Sequence, residues 1–143
     1  MCAHGCPCGA RGVAGATCSC SAQRLQQHRE RLSRALLDRF DLALTMPRPR
    51  GSELAAPPGE PSGPVRDRVG AARARLAATQ PPLSDAAAGL LTRAVERLPL
   101  SGRGRARVAS VAATIAALSA EEVVGADHLA EALSYRPPQE LVT

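Results

Sequence analysis

The amino-acid sequence predicts a mainly α-helical protein: a remnant of an α/β core, made of a loop, a helix and one short strand, followed by four helices. Three observations support this prediction. Apolar residues recur at helical spacing in four successive segments from residue 65 onward. Residues 47–64 contain six prolines and separate the two parts. The segment Phe40–Met46 places apolar residues at every second position, as a strand does.

The amino-terminal part begins with a cysteine- and glycine-rich loop, residues 1–20. Ser21 is a suitable N-cap, and a helix is predicted from Ala22 to Asp38 with an apolar face formed by Leu25, Leu32 and Leu36. The strand Phe40–Met46 follows and ends at Pro47. Because one strand cannot form a sheet, we expect its partner strands to belong to polypeptide outside this chain.

Four amphipathic helices are predicted after the proline-rich segment. The first stops before Pro81, the second opens at Leu83, Ser101 can cap the third, and the fourth follows Gly125. Their apolar stripes are, in chain order, Val65, Val69, Ala72 and Leu76; Leu90, Leu91, Ala94 and Leu98; Val108, Val111, Ala112, Ile115 and Leu118; and Leu129, Ala132 and Leu133. Four such helices with short connections can bury their stripes only against one another, as a small bundle.

The chain carries a formal net charge of +5, and all 18 of its basic residues are arginine. Arginine makes planar, two-pronged contacts with phosphate and carboxylate, so this charge permits contact with nucleotides or nucleic acids without establishing it. Only Phe40 and Tyr135 are aromatic. The scarcity of aromatic rings argues against base stacking on single-stranded nucleic acid.

All five cysteines lie in the first twenty residues, and four of them form a C-x-C, nine residues, C-x-C pattern: Cys6, Cys8, Cys18 and Cys20. Four thiolates are a suitable ligand set for tetrahedral zinc, although zinc-binding pairs are usually separated by two to four residues. The sequence therefore leaves two interpretations open, a bound zinc or a set of reduced thiols. Cys2, His4 and His28 are candidate substitute ligands, whereas His128 is expected to be an ordinary residue of a helix.

No apolar run in the sequence is long enough to span a bilayer, and the amino terminus lacks the pattern of a secretory signal peptide. We therefore expect a cytoplasmic protein that does not associate with membranes.

Several motifs point to one family. In the amino-terminal part they are Cys6-Pro7-Cys8-Gly9, Cys18-Ser19-Cys20 and Leu36-Leu37-Asp38-Arg39-Phe40-Asp41-Leu42. In the carboxy-terminal part they are Leu100-Ser101-Gly102-Arg103, residues 111–116 (VAATIA) and residues 128–136 (HLAEALSYR). In this order and spacing, over about residues 5–137, the chain resembles the ComM/YifB family of magnesium-chelatase-like AAA+ proteins.

The resemblance implies a hexameric ATPase in which ATP and magnesium lie between an α/β core and a helical lid, with a neighbouring subunit completing the site. It also implies a DNA-linked role for the parent protein, since ComM is associated with branch migration during recombination. Arg39 corresponds to the family's arginine finger, which acts on a neighbouring subunit's nucleotide. Arg103 corresponds to the sensor 2 arginine, which contacts the phosphates.

Other parts of an ATP site are missing from the sequence. A P-loop needs a lysine that reaches the β and γ phosphates, and this chain contains no lysine. The family's sensor 1 asparagine precedes the first cysteine motif, where this chain has His4 and Gly5. We therefore expect no ATP turnover by the chain alone, and we expect P-loop-bearing subunits as its partners.

These inferences give the following organisation: residues 1–46 as the remnant of the AAA+ core, 47–64 as a linker, 65–137 as the lid and 138–143 as a tail. The predicted function is that of the carboxy-terminal part of a ComM/YifB-like AAA+ ATPase. Two alternatives stay open: a small zinc-containing module that binds nucleic acid, and an inactive truncated remnant.

Overall fold

The computed structural model of the chain describes residues 4–13, 15–31, 33–98 and 100–136, except for the side chains of Arg34 and Ala35. These residues divide into two compact units: one holds those up to Phe40 together with Leu44–Ala56, and the other holds Asp41–Ala43 and Pro57–Arg136. The described part contains seven α-helices: α1 (Ala22–Glu30), α2 (Arg34–Leu37), α3 (Gly51–Leu54), α4 (Ser62–Ala78), α5 (Asp85–Arg97), α6 (Gly102–Leu118) and α7 (Ala126–Ser134). The predicted mainly α-helical class is confirmed.

Helix α6 is the centre of the carboxy-terminal unit and packs against both α4 and α7, while α5 packs against α7. The buried core contains small and aliphatic side chains: Ala87, Leu91, Val108, Ala112, Ala113, Ala116, Val124, Leu129 and Ala132. Four of these belong to α6, and three of those four are alanines. Alanine is the best helix former and has a short side chain, so the backbones of neighbouring helices can approach closely along this face.

Serine side chains start the two central helices. The Ser101 hydroxyl accepts a hydrogen bond from the Gly104 amide at 3.0 Å, as expected from the sequence. Ser84 does the same for the Ala87 amide at 3.2 Å, so α5 starts at Asp85 rather than at Leu83. Each cap satisfies one of the backbone amides that have no partner within the first turn of a helix.

The loops before α5 and α7 are joined by a short parallel bridge between Leu83 and Val124, which the sequence pattern did not predict. The Val124 amide donates to the Pro82 carbonyl at 2.8 Å, and the Ser84 amide donates to the Val124 carbonyl at 3.0 Å. Val124 is fully buried, so the bridge closes one end of the core.

The predicted stripe of the first bundle helix is only partly buried. Helix α4 begins at Ser62, three residues before the predicted start, and Val65 and Val69 on its first half are 37% and 38% exposed. Burial begins at Ala72 and continues at Leu76, which packs against the core. The apolar residues at helical spacing therefore begin earlier in α4 than the part of that helix that packs against the core of this unit.

The single helix predicted from Ala22 to Asp38 is wrong: α1 ends at Glu30 and α2 covers only Arg34–Leu37. Between them, the Ser33 carbonyl accepts from the amides of Leu36 and Leu37, and its hydroxyl accepts from the Leu36 amide at 3.3 Å. Ser33 thus makes the contacts of an N-cap at the start of α2, and a separate helix begins there. Leu32, expected on the same apolar face, lies outside the described residues.

The predicted strand Phe40–Met46 is also wrong, and so the expected α/β remnant is not confirmed: these residues form no strand, and the described part of the chain contains no sheet. A strand needs a partner backbone, and alternation of side chains alone does not provide one. Here the Ala43 amide donates instead to the Tyr135 carbonyl at the end of α7, at 2.7 Å. Leu42 and Leu44 are 50% and 65% exposed.

The proline-rich segment 47–64 is not wholly irregular, because the four-residue helix α3 lies within it. The Glu53 carboxylate accepts from the Arg50 amide at 2.7 Å, which satisfies a backbone donor just before this helix. All residues of α3 are exposed. The proline-rich composition correctly predicted that residues 51–54 do not pack into a core. It did not predict that they form a short helix.

No helix within the described ranges combines the length and the apolar character that a bilayer-spanning segment requires.

Replacing Leu129 by alanine is expected to destabilise the helical unit by about 2–5 kcal/mol, since its fully buried side chain would leave a cavity against α6. The matched control is Leu118→Ala, where the leucine is 47% exposed and the expected cost is below about 1 kcal/mol. Urea unfolding followed by circular dichroism measures both. Equal costs for the two variants would contradict the described core.

Candidate functional site

Four cysteine side chains converge in the amino-terminal loop: Cys6, Cys8, Cys18 and Cys20. Their Sγ atoms all lie within 4.8 Å of one another; those of Cys6 and Cys8 are 3.3 Å apart and those of Cys8 and Cys18 are 3.6 Å apart. Gly9 makes the approach possible, because it follows the first C-x-C pair with a φ of 73° and donates its amide to the Cys6 carbonyl at 3.1 Å. Glycine adopts this left-handed conformation without steric cost.

This donor set fits a tetrahedral metal ion. With zinc–sulfur bonds of about 2.3 Å, the sulfurs of a tetrahedral site lie about 3.8 Å apart, which is within the range of the cluster. Cys6 is fully buried, and its Sγ accepts a hydrogen bond from the Arg11 amide at 3.2 Å. Backbone amides that donate to sulfur stabilise thiolates, as in the outer shell of metal sites.

The surroundings of the cluster shift the pKa values of Cys8 and Cys18 in opposite directions. The pKa of Cys8 is lowered to about 6, first by a hydrogen bond with the Ala10 backbone and then by hydrogen bonds with the Cys6 and Cys20 thiols. The Cys20 backbone acts to lower the pKa of Cys18, but desolvation and hydrogen bonds with the other thiols outweigh it and raise that pKa to about 11. The cluster thus favours a thiolate at Cys8, and a thiolate is the form that binds metals.

Of the predicted substitute ligands, the described residues His4 and His28 do not join this cluster. His28 on α1 lies with its Nε2 atom 2.8 Å from the His4 carbonyl oxygen, so it ties the start of the loop to the helix. His128 is in α7, as expected, where its Nδ1 atom accepts from the Gly125 amide at 3.1 Å. Cys2 lies outside the described residues.

Arg39 lies in the turn that follows α2, and its side chain is exposed. The Arg39 amide donates to the Leu36 carbonyl at 3.0 Å, which closes this turn. The residue therefore follows a helix, as predicted, but no strand follows it. An exposed guanidinium on a short turn can reach a group outside its own chain.

Arg103 is the second residue of α6, immediately inside the Ser101 cap, and its side chain is exposed. The positive end of the helix dipole disfavours a cation at this position unless an anion is also present. Backbone amides and a guanidinium in one helical turn form a suitable cradle for phosphate.

Arg107, one turn after Arg103, makes a contact that the sequence analysis missed. Its guanidinium donates to the Asp41 carboxylate, and two residues further along the Ala43 amide bonds the Tyr135 carbonyl. The Tyr135 hydroxyl donates to the Glu131 carboxylate at 2.8 Å. No local pattern could have predicted the Arg107–Asp41 pair, because 66 positions separate the two residues.

The family model described as magnesium chelatase, subunit ChlI C-terminal, matches residues 59–136, and the model described as magnesium chelatase, subunit ChlI, matches residues 1–54. The helical unit and the cysteine loop are thus parts of an AAA+ protein, and the chain belongs to the magnesium chelatase subunit ChlI family.

Within that family the chain is similar to ComM and YifB, as the motifs indicated. It is 36% identical over 133 aligned residues to competence protein ComM of Haemophilus influenzae, with 81% of this chain covered, and 34% identical over 134 residues to YifB of Escherichia coli, with 82% covered. An uncharacterised protein of Mycobacterium tuberculosis is 33% identical over 155 aligned residues, with 95% covered. The chain spans only 26% of the length of ComM and of YifB and 30% of the mycobacterial protein.

The pKa of Tyr135 is raised by its hydrogen bond to Glu131 and by the negative charge of that carboxylate. Glu131→Gln is therefore expected to lower the Tyr135 pKa toward its ordinary value, because removing the charge makes the tyrosinate less unfavourable. Tyr135 is the chain's single tyrosine and there is no tryptophan, so absorbance at the tyrosinate band reports it directly. Glu122→Gln is the control; an unchanged midpoint in Glu131→Gln would exclude the contact.

Proposed function

We propose that this chain provides the helical lid and an arginine finger to a ComM/YifB-like AAA+ ATPase whose P-loop lies in polypeptide outside these 143 residues. One observation carries the proposal. Two successive models of the ChlI family match this chain in order, yet the chain contains no lysine with which to form a P-loop. The domain boundaries predicted above stay part of this proposal.

The proposed role of Arg39 is to stabilise the charge that develops on the γ-phosphoryl group of ATP held by a neighbouring subunit. Phosphoryl transfer spreads negative charge over the phosphate oxygens, and a permanently charged, fork-shaped guanidinium is suited to that task. Its exposure in the turn after α2 supports this role. The proposed assembly is a hexameric ring of the kind that the family resemblance implies, in which P-loop-bearing subunits are the partners of this chain.

The proposed role of Arg103 is to contact the phosphates of the nucleotide beside the lid, with the bound magnesium ion supplied by the same assembly. Its place in the first turn of α6 supports the role, since the helix start offers unpaired amides and a positive dipole to an anion. The family's sensor 1 asparagine has no counterpart at the expected place, because His4 and Gly5 stand where the motif would place it.

The proposed parent activity is ATP-dependent work on DNA in the cytoplasm. The similarity to ComM, whose name describes a competence protein, supports a DNA-linked process. The net charge of +5 is compatible with a nucleic-acid partner.

Zinc is the proposed occupant of the thiol cluster at Cys6, Cys8, Cys18 and Cys20. The convergence of four sulfurs within 4.8 Å supports it, and the hydrogen bonds donated to Cys6 and Cys8 favour the charged ligands that zinc requires. A filled site has no open position, so its role is structural: it would hold the loop between residues 6 and 20 in place ahead of α1.

Arg39→Ala is expected to lower the ATP turnover number on the order of 10³-fold with little change in nucleotide affinity. Turnover is measured in an assembly of this chain with a P-loop-bearing AAA+ core, called the reconstituted assembly below. The core polypeptide ends at the residue where the alignment between ComM and this chain begins. The matched control is Arg48→Ala, another exposed arginine of the same unit. The chain alone is expected to show no turnover.

In the same assembly Arg103→Ala is expected to weaken ATP binding, and the neighbouring exposed arginine provides the control variant Arg105→Ala.

If Arg39→Ala behaves like Arg48→Ala, the finger assignment is wrong. If the chain alone hydrolyses ATP and loses this activity on Arg39→Ala, the proposed division of the site between polypeptides is wrong.

The chain purified under reducing conditions is expected to contain one zinc ion per molecule, measured by elemental analysis, and Cys8→Ser is expected to lose most of it because a tetrahedral site needs all four ligands. Ser19→Ala is the control, since Ser19 is exposed and lies between two ligands. Cobalt substitution gives a second readout through thiolate–metal absorption. Wild-type chain that stays metal-free after supplementation would favour the reduced-thiol interpretation.

The two alternatives are outcomes of the same experiments. Salt-dependent DNA binding by the isolated, zinc-loaded chain, without any effect on ATP turnover, would favour a nucleic-acid-binding module. A chain that neither assembles nor changes turnover would favour the inactive remnant.

A further inference from the structure

The short segment Asp41–Ala43 belongs to the helical unit, although it follows Arg39 in the chain. One of its ends is held by helix α6 and the other by the residue that follows α7. The Asp41 carboxylate accepts from the Arg107 guanidinium on α6, and the Ala43 amide donates to the carbonyl of Tyr135, the residue that follows α7. These two contacts are called the clasp below.

The α6 side of the clasp lies one helical turn from Arg103. Residues four positions apart on a helix share one face, so Arg103 and Arg107 project from the same side of α6. Gly104 between them is buried, with the Leu100 side chain 3.6 Å from where a Cβ would lie. The start of α6 is therefore closely packed at Gly104, between the two arginines.

The Arg107 side chain is 28% exposed and the Asp41 side chain is 59% exposed. The Nε atom of Arg107 is buried and has no hydrogen-bond partner among the described residues, so part of the guanidinium is seated in protein rather than in solvent. A pair this exposed contributes little to folding stability.

We propose that the clasp positions Arg39. Asp41 is two residues beyond Arg39, so their Cα atoms can be no more than about 7 Å apart, and anchoring Asp41 to α6 restricts where the Arg39 side chain can reach. The inference rests on the proposed function, because Arg39 needs a nucleotide to act on. It adds that Asp41 and Arg107 are positioning residues, because they hold the start of the segment that follows the finger.

In the reconstituted assembly, Asp41→Asn and Arg107→Gln are each expected to lower the turnover number on the order of tenfold, since misplacing a catalytic group by about 1 Å has effects of this size or larger. The KM for ATP and the amount of assembly are expected to stay unchanged. The double variant should lose no more than either single variant, because the two residues act as one unit. The exchanged pair Asp41→Arg with Arg107→Asp should recover part of the loss.

The matched controls are Arg105→Gln on the same helix and Asp67→Asn on α4, both exposed. Equal losses in the controls, additive losses in the double variant, or a KM that rises with an unchanged turnover number would each overturn the proposal.

A second measurement needs no nucleotide. In the isolated chain, hydrogen exchange of the Ala43 amide is expected to be slowed at least about tenfold by its bond to the Tyr135 carbonyl, and Asp41→Asn should remove most of that protection. An Ala43 amide that exchanges at the unprotected rate in the wild-type chain would show that the clasp does not form.

The two failures can be told apart. If Arg39→Ala has no effect on turnover while Ala43 is protected, the proposed function fails and the clasp stands only as a structural contact. If Arg39→Ala abolishes turnover while Asp41→Asn and Arg107→Gln match their controls, the finger is established and the positioning role is wrong.

Discussion

The close packing of α6 against its neighbours is the constraint on which the rest of the helical unit depends. With two aromatic residues in the whole chain, the core has no large ring to fill space, and its buried area comes from small residues such as Ala112 and Ala116 set against Leu91 and Leu129. Small side chains leave little room for adjustment, because dense interiors tolerate neither voids nor extra volume. The axis of α6 is therefore well defined, and so are the positions of Arg103 and Arg107 along it.

The parts of the fold that the sequence predicted are those with a local physical cause. Ser101 caps α6 through an atom three residues away, and the apolar residues of α6 and α7 recur with the period of the helix itself. The wrong strand concerns a feature whose cause is not local. Alternation in Phe40–Met46 describes which way side chains point, whereas a strand exists only where another backbone pairs with it. The error over Ala22–Asp38 differs, because its cause is local: the Ser33 hydroxyl accepts from the Leu36 amide in the manner of an N-cap, so a separate helix begins at Arg34.

The candidate site also contains one feature that a local sequence pattern predicted and one that no local pattern could predict. The two C-x-C pairs predicted a cluster of thiols, because residues two apart in a tight turn are already neighbours and only one loop had to close. The contact between Arg107 and Asp41 could not be predicted, since the chain has seventeen other arginines and most charged residues lie on solvated faces with no distinguishing pattern. Only the docking of Asp41–Ala43 against α6 and α7 selects this pair.

An arginine finger that completes a nucleotide site in another subunit has two requirements that oppose each other. The guanidinium has to be exposed, so that it can reach a phosphate outside its own chain, and it has to be held in position, because catalysis depends on the distance to the transferring group. Arg39 meets the first requirement by lying on a turn with no strand to support it. Under the proposed function, the second requirement is met by the contacts of Asp41 with Arg107 and of Ala43 with Tyr135, just after Phe40 in the chain. Charged and backbone contacts of this kind can fix a short segment without burying the residue that has to act. An apolar anchor at the same place would have required burial of the turn itself.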